Sequence, residues 1–492
     1  MIFALVLIPT LAGLAAFLIR PDGPRRGLLM TTAVVQAALT VAAWIVRPAP
    51  VFGGWLALDA LGLLFLGIIS TLFLAAAFYA VGYLRHEEHQ VERDFEEGFL
   101  FANAPEAVFT GCMLLFLASM TLVTVSQHFG LLWVAVEATT LASASLIYFH
   151  RHHRSLEAAW KYLLICSVGI ALALLGTFFL AVSSAPAGEE AMPLLLGDLV
   201  RHAREFHAPW LKAAFLLLLV GYGTKMGLAP MHTWLPDAHS ESPSVVSALL
   251  SGAVLNCAFL GILRAFQVCA AAGLAEFAQE LLVGFGLFSM AVAAVFIFGQ
   301  NDYKRMLAYS SVEHMGILAL GVGLGGVATF GAMFHAINHS LTKAMLFLVA
   351  GNILAAYRTK ISANVRGVAR VLPVSGALWI AGFLAITGSP PFGAFLSEFT
   401  ILRGALEQHR ATVAVAYLAL LAVIFIGMAT PVLRMAQGEA VNAPQDRGGR
   451  EARLSVVPAM ALGAVVLLLG LWIPQGLTNV LQEAARALSK GF

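Results

Sequence analysis

Long apolar runs alternate with short polar joints along the 492 residues. The runs lie at about 2–19, 27–46, 56–84, 106–125, 129–149, 158–183, 211–231, 244–268, 281–299, 306–325, 327–355, 374–400, 411–435 and 454–474. Each approaches the roughly twenty residues with which an α-helix crosses about 30 Å of hydrocarbon, so the pattern predicts about fourteen transmembrane helices. Period-two alternation is missing and the runs outlast a barrel strand, and backbone polar groups in lipid must then be satisfied within helices. The predicted fold is an all-α membrane protein. The longest polar connections, about 85–105, 184–210 and 436–453, are too short for a folded domain, which puts the chemistry inside the bilayer.

Composition agrees, with 60% hydrophobic and 11% charged residues, where soluble domains have about 45–50% and 25%. With 29 Lys and Arg against 27 Asp and Glu there is neither a basic surplus for nucleic acid nor an acidic tail. Cys112, Cys166, Cys257 and Cys269 lie inside apolar runs without CxxC spacing, so neither a cofactor nor a metal cluster is expected in this chain. The first run starts without a basic segment and is followed by Arg20, Arg25 and Arg26, as in a retained helix. Loops after odd-numbered runs carry nearly twice the Lys and Arg of the opposite side, which places both termini on the non-cytoplasmic side.

A charge near the bilayer centre costs at least about 2.5–3.5 kcal/mol and defaults to a functional reading. Glu137, Lys225, Lys343 and Glu398 sit within runs, as does Lys161. The bland alternative is a pair of salt bridges that lock the bundle. Run seven is interrupted by Gly227 and Pro230 beside Lys225, and run twelve by Gly388, Pro390 and Pro391 beside Glu398. Proline removes a donor and frees a carbonyl, which a membrane tolerates where protein or water satisfies it. Breaks at corresponding places point to inverted repeats, here spans four to eight and nine to thirteen. The predicted organisation is three N-terminal helices (1–100), two five-helix halves (101–270 and 271–435), and a last helix with a short amphipathic tail (436–492).

His335, His339 and Lys343 recur at every fourth residue, on one face of span eleven. Histidine titrates near neutrality and desolvation loosens a lysine proton, so such a row suits a proton wire. Metal binding by the two histidines lacks a third ligand in the neighbouring sequence. Other motifs fail on context. Gly321, Gly323 and Gly326 spell GxGxxG but join two membrane helices, HEEHQ at 86–90 lacks the second His of HExxH, and HRHHR at 150–154 is an orientation loop. No GxxxxGK[ST] occurs. A membrane-embedded hydrolase finds no nucleophile-with-base spacing.

The stretch Lys225 to Pro243, KMGLAPMHTWLPDAHSESP, closely resembles the signature of antiporter-like membrane subunits shared by respiratory complex I, Mrp-type cation/proton antiporters and membrane-bound hydrogenases. DYKRMLAYSSVEHMG (302–316) and FHAINHSLTKAMLFLVAG (334–351) agree, and the likeness runs from about 100 to 435. Within that superfamily, residues 137–176 and the SVEHMG variant look most like the F-type membrane subunit of hydrogenase 4 and formate hydrogenlyase. The resemblance implies a proton relay in which Glu137 is coupled to Lys225 and modulated by Lys161, with His232 in the signature, continuing through His335, His339 and Lys343 to Glu398. Asn256 stands where the superfamily commonly has Lys or His on the eighth helix, so the link between halves needs water or the reach of His335 and His339.

The resemblance also implies a proton-translocating subunit of an energy-converting redox complex in a prokaryotic inner membrane. Partner subunits would carry the NiFe and iron–sulfur centres, as a hydrogenase arm on the cytoplasmic side, alongside small and antiporter-like membrane subunits. The alternatives are a Mrp-type antiporter subunit, a complex I subunit, or a purely structural anchor for a redox arm.

Overall fold

The computed structural model describes residues 1–86, 92–93, 98–185, 192–439 and 451–489. HEEHQ, after its first residue, and the last three residues of the tail lie outside them. Helices follow the apolar runs, and the short antiparallel pair Glu92–Arg93 with Leu100–Phe101 is a minor addition to an all-α multi-pass membrane protein. Among the described residues, eleven helices are long and apolar enough to cross a membrane. Three further runs fall short of that standard. Ile2–Leu18 is a shorter apolar helix, Ala208–Met226 contains Lys212 and Lys225, and run twelve is split into Pro373–Ile386 and Gly393–Glu407. Fourteen spans therefore remain a reading of the pattern, because shortness, charge and interruption respectively take these three below what length and apolarity alone establish.

Both interruptions lie where glycine and proline announced them. Ala208–Met226 ends at Gly227, whose φ of 83° is left-handed, a conformation glycine adopts without a Cβ penalty. The chain resumes as the helix Trp234–Glu241. The carbonyl of Thr224 left at the helix end accepts from Trp234 Nε1 at 2.8 Å, and Ala229 N donates to Ser289 Oγ at 3.0 Å. Protein groups thus satisfy backbone freed by this break, as a low-dielectric site requires. Span eight holds a third irregularity, marked by Gly252 but by no proline: a π-helical turn, Leu250–Val254, separates Ser244–Leu249 from Leu255–Ala271.

The bundle is layered around this eighth span, whose apolar window is 100% buried, against 22% for the peripheral helix Ala411–Ala436. Tyr303–Leu324 and Val327–Tyr357 lie mostly inside as well. At the bundle ends, ion pairs join helices that sequence keeps far apart. One face holds Glu241 with Lys360 at 2.7 Å, and Lys304 donating to the carbonyls of Ser240 at 3.1 Å and Ser242 at 2.7 Å. The other holds Arg264 in a two-pronged bond to Asp59, at 2.5 and 2.6 Å. The amphipathic helix Gln475–Ser489 lies over that second face, its Ala487 carbonyl accepting from Gln267.

His153–Ser183 and Ala208–Met226 approach through small residues. A Cβ on Gly221 would stand 2.5 Å from Ala173 N and 2.6 Å from Gly169 O. Lipid supplies no hydrophobic drive between helices, so such backbone contact, with its dispersion attraction, is what holds them. Gly221→Val is expected to force these helices apart, lowering the thermal midpoint in detergent and the yield of intact protein. Differential scanning fluorimetry and size-exclusion profiles against the wild type measure this.

Candidate functional site

Lys225, in the last turn of Ala208–Met226, is fully buried. Its Nζ donates to Thr140 Oγ1 at 2.9 Å and to Tyr162 OH, and lies 4.4 Å from the Tyr162 ring centre. Thr140 Oγ1 donates in turn to Glu137 Oε2 at 3.2 Å, while Ser167 Oγ donates to Glu137 Oε1 at 3.1 Å. Glu137 and Lys225 therefore do not touch; one hydroxyl stands between them. Ser143 and Tyr162 share a hydrogen bond of 2.6 Å that completes the cluster.

Two expectations are corrected here. Glu137 is only half-buried. Lys161 is not beside the pair: its side chain is 45% exposed and binds Glu157 at 2.5 Å and Asp237 at 3.0 Å. The helix turns about 100° per residue, so it is the neighbouring Tyr162, not Lys161, that faces inward and contacts Lys225. His232 is also apart from the lysine contacts, with its ring against Phe296 and Tyr309.

The second cluster is built on Val327–Tyr357, where His335, His339 and Lys343 share one face, all fully buried. Lys343 Nζ donates to the Leu307 carbonyl at 2.6 Å and to Ser310 Oγ. His314, from Tyr303–Leu324, reaches into the row: its ring centre is 5.1 Å from those of both His335 and His339. His314 Nδ1 and His335 Nε2 are 2.9 Å apart, as are His335 Nδ1 and Ser397 Oγ. Ser397 donates its own proton to the Ala394 carbonyl at 2.8 Å. His335 Nδ1 must then donate to Ser397, which leaves its Nε2 to accept from His314.

Beside Ser397 stands Glu398, with Oε1 unpartnered. The break in run twelve makes room for this carboxyl: a Cβ on Gly388 (φ 63°) would stand 1.9 Å from Glu398 Oε2. Ligand atoms of His314, His335 and Glu398 lie within 4.8 Å of one another, so the fold supplies the third potential ligand that neighbouring sequence lacked. Both His335 nitrogens are engaged by protein, however, and in this arrangement neither offers a metal a free lone pair. Proton conduction along the hydrogen bonds is the chemistry the arrangement suits.

Asn256, in the buried eighth span, donates to the Gly252 carbonyl of its own span at 2.8 Å and to Ser340 Oγ at 2.7 Å. Ser340 adjoins His339, so the neutral residue at the centre is tied to the histidine row by a hydrogen bond. The sequence reading missed Thr140, Tyr162 and Ser397, since hydroxyls carry little hydropathy signal. It quoted His314 inside SVEHMG yet assigned it no role, although a titratable residue in an apolar run was the criterion that found Glu137. His239 was also passed over; it is fully buried with its ring stacked on Phe347.

Residues 126–424 match the family described as NADH:quinone oxidoreductase/Mrp antiporter, TM. The chain belongs to this family. It is an antiporter-like membrane subunit of the complex I and Mrp superfamily, as the three motifs implied. It is similar to a hydrogenase-4 component F homolog of Methylacidiphilum infernorum, 38% identical over 72% of this chain and 74% of that one. It also resembles NADH-quinone oxidoreductase subunit N of Desulforudis audaxviator, 29% identical over 98% and 97% of the two chains. Among solved structures, a chain of an archaeal membrane-bound sulfane sulfur reductase shares the fold, with a TM-score of 0.86 at 19% identity over 100% of this chain and 98% of that one.

Below the Lys225 cluster, the Glu241 and Lys360 pair anchors the helix that follows the break. Burial opposes ionisation of Glu241, but Lys360, Arg154 and His152 outweigh it and hold the carboxyl at about 2. A depressed folded-state pKa stabilises the protein above the ordinary carboxylate range and loses that stabilisation as pH falls through the folded value. Thermal stability in detergent should therefore decline between pH about 4.5 and about 2. Glu241→Gln should flatten that limb and lower the midpoint at pH 7, where it leaves Lys360 without its carboxylate; melting curves across pH test both.

Proposed function

We propose that the chain is the proton-translocating membrane subunit of an energy-converting complex of the hydrogenase-4 type. The observation that carries this reading is the pair of buried lysine clusters, each holding its lysine on neutral acceptors with other titratable side chains close by and a helix break associated with it. In the first, Glu137, Thr140 and Lys225 form a row in which a proton moves by small displacements between hydrogen-bonded neighbours. In the second, hydrogen bonds connect His314, His335 and Ser397, next to Glu398, while His339 touches His314 through its ring and Lys343 follows one turn further along the helix of His335 and His339. Asn256 carries no proton, so passage between the two clusters needs water or a field effect.

Charge movement in one cluster alters the field at the next, and at low effective dielectric that field is large enough to shift a proton equilibrium. The redox centres belong to partners in this reading: a [NiFe]-hydrogenase arm with iron–sulfur centres on the cytoplasmic side, and further small and antiporter-like membrane subunits. Membership of the family and the likeness to the component F homolog support it. Both termini would face outward, with the Glu241 and Lys360 face toward the cytoplasm of a prokaryote. A Mrp-type antiporter subunit is the second reading, favoured by the family description itself.

Affinity purification through this chain in mild detergent, with mass spectrometry, separates the two. Recovery of a hydrogenase arm supports the first, and recovery only of small membrane subunits moves the assignment to the second. Reconstituted into sealed vesicles under a valinomycin–potassium potential, the complex should take up protons. Lys225→Ala and Glu137→Gln should leave assembly intact and cut uptake about tenfold, and Thr140→Val should slow it by breaking the row between them. Normal uptake in both charge variants would sink the relay.

A further inference from the structure

Glu313 is a buried acid that the relay above leaves unused. It lies in Tyr303–Leu324 and is 3% exposed. Its Oε2 is 4.0 Å from His314 Nε2, and its carboxyl interacts electrostatically with Lys343, Glu398 and Tyr417. The titratable groups that act on it are His314 on its own helix, Lys343 from the row that also holds His335 and His339, Glu398 from Gly393–Glu407, and Tyr417 from Ala411–Ala436. A carboxyl in such a place is costly and asks for a role.

A structural counter-charge would bond its partner directly, as Asp59 does with Arg264 and Glu241 with Lys360. Lys343 instead gives its hydrogens to the Leu307 carbonyl and Ser310. The carboxyl stands three residues beyond Ser310, just as Glu137 stands three residues from Thr140, the hydroxyl that holds Lys225. The two helices run in opposite directions, since Tyr303 starts at the face where Phe129–Ile147 ends, joined there through His152, Glu241 and Lys360. From that face inward, each cluster therefore presents lysine and hydroxyl first and a carboxyl about 4.5 Å deeper along the helix axis.

The histidine tautomers supply the second observation. His314 donates from Nδ1 to His335, so its Nε2 carries a lone pair, and that atom is unpartnered. It faces Glu313. A carboxylate there meets another acceptor, whereas a carboxylic acid has a donor to offer.

We propose that Glu313 is a proton-carrying residue of the second cluster, which takes a proton released by Lys343 and passes it to His314 Nε2. Lys343 gives up one proton, Glu313, His314 and His335 each gain one and release one, and the proton leaves toward Glu398. Lys343 becomes the neutral amine and Glu313 the acid; Glu313 then protonates His314 Nε2 and returns to carboxylate. His314 releases its Nδ1 proton to His335 Nε2, and His335 releases its own toward Ser397 and Glu398. Only N–H and O–H bonds change. This rests on the reading of the chain as a proton-translocating subunit.

The test is proton uptake by the complex purified through this chain, in proteoliposomes containing pyranine under a valinomycin–potassium potential. Glu313→Gln should assemble normally and lose about tenfold in uptake rate, and Glu313→Asp should recover at least half of it. Uptake at the wild-type rate in Glu313→Gln, while Lys225→Ala and Glu137→Gln are defective, overturns the role of Glu313 alone. Uptake at that rate in all three variants instead overturns the underlying reading. Should Glu313→Gln fail to assemble, infrared difference spectra of the wild-type complex during uptake should show a carboxyl band that Glu313→Asp displaces. A spectrum unchanged by that substitution overturns the proposal.

Discussion

The rest of the structure turns on how an ammonium group is kept inside a low-dielectric bundle without being locked. A directly paired lysine and carboxylate would satisfy charge but would hold both protons fast, since each ion stabilises the ionised form of the other. At the bundle ends that is what occurs, with Glu241 on Lys360 and Asp59 on Arg264. In the interior the arrangement changes. Lys225 rests on Thr140 and Tyr162, and Lys343 on a carbonyl and Ser310. Neutral acceptors solvate the charge while leaving it free to respond to groups a few ångströms away.

That solution makes demands on the helices around it. A hydroxyl reaches an ammonium only if the backbones are close, which is why Gly169, Ala173 and Gly221 let His153–Ser183 meet Ala208–Met226 at backbone distance. The breaks are the other half of the requirement. Gly388 has no side chain where Glu398 needs room, and Gly227 ends its helix just beyond Lys225. Packing and polarity are thus set by the same residues.

Much of this was legible in the sequence because burying charge leaves a visible scar. Glu137, Lys225, Lys343, Glu398, the His335 and His339 spacing and both helix breaks stood out against an apolar background. What the sequence could not show is which groups lie across from one another. Lys161 sits one residue from Tyr162, and helical phase alone sends one to the surface and the other to Lys225. The hydroxyls of Thr140, Ser310 and Ser397 cost little to bury and resemble the threonines and serines that fill any membrane helix. The π-helical turn before Asn256 holds a single glycine, Gly252, with no proline beside it, a weaker signal than the glycine–proline pairs that mark the two breaks.

Asn256 shows why a neutral residue suits the eighth span. A lysine at that position would place a third cation between Lys225 and Lys343 in the most deeply buried helix, where each like charge raises the cost of its neighbours. Asparagine instead fixes geometry through bonds to Gly252 and Ser340, and Ser340 is carried by the helix that bears the histidine row. An amide at this place therefore holds the eighth span against that helix without adding a charge near either lysine.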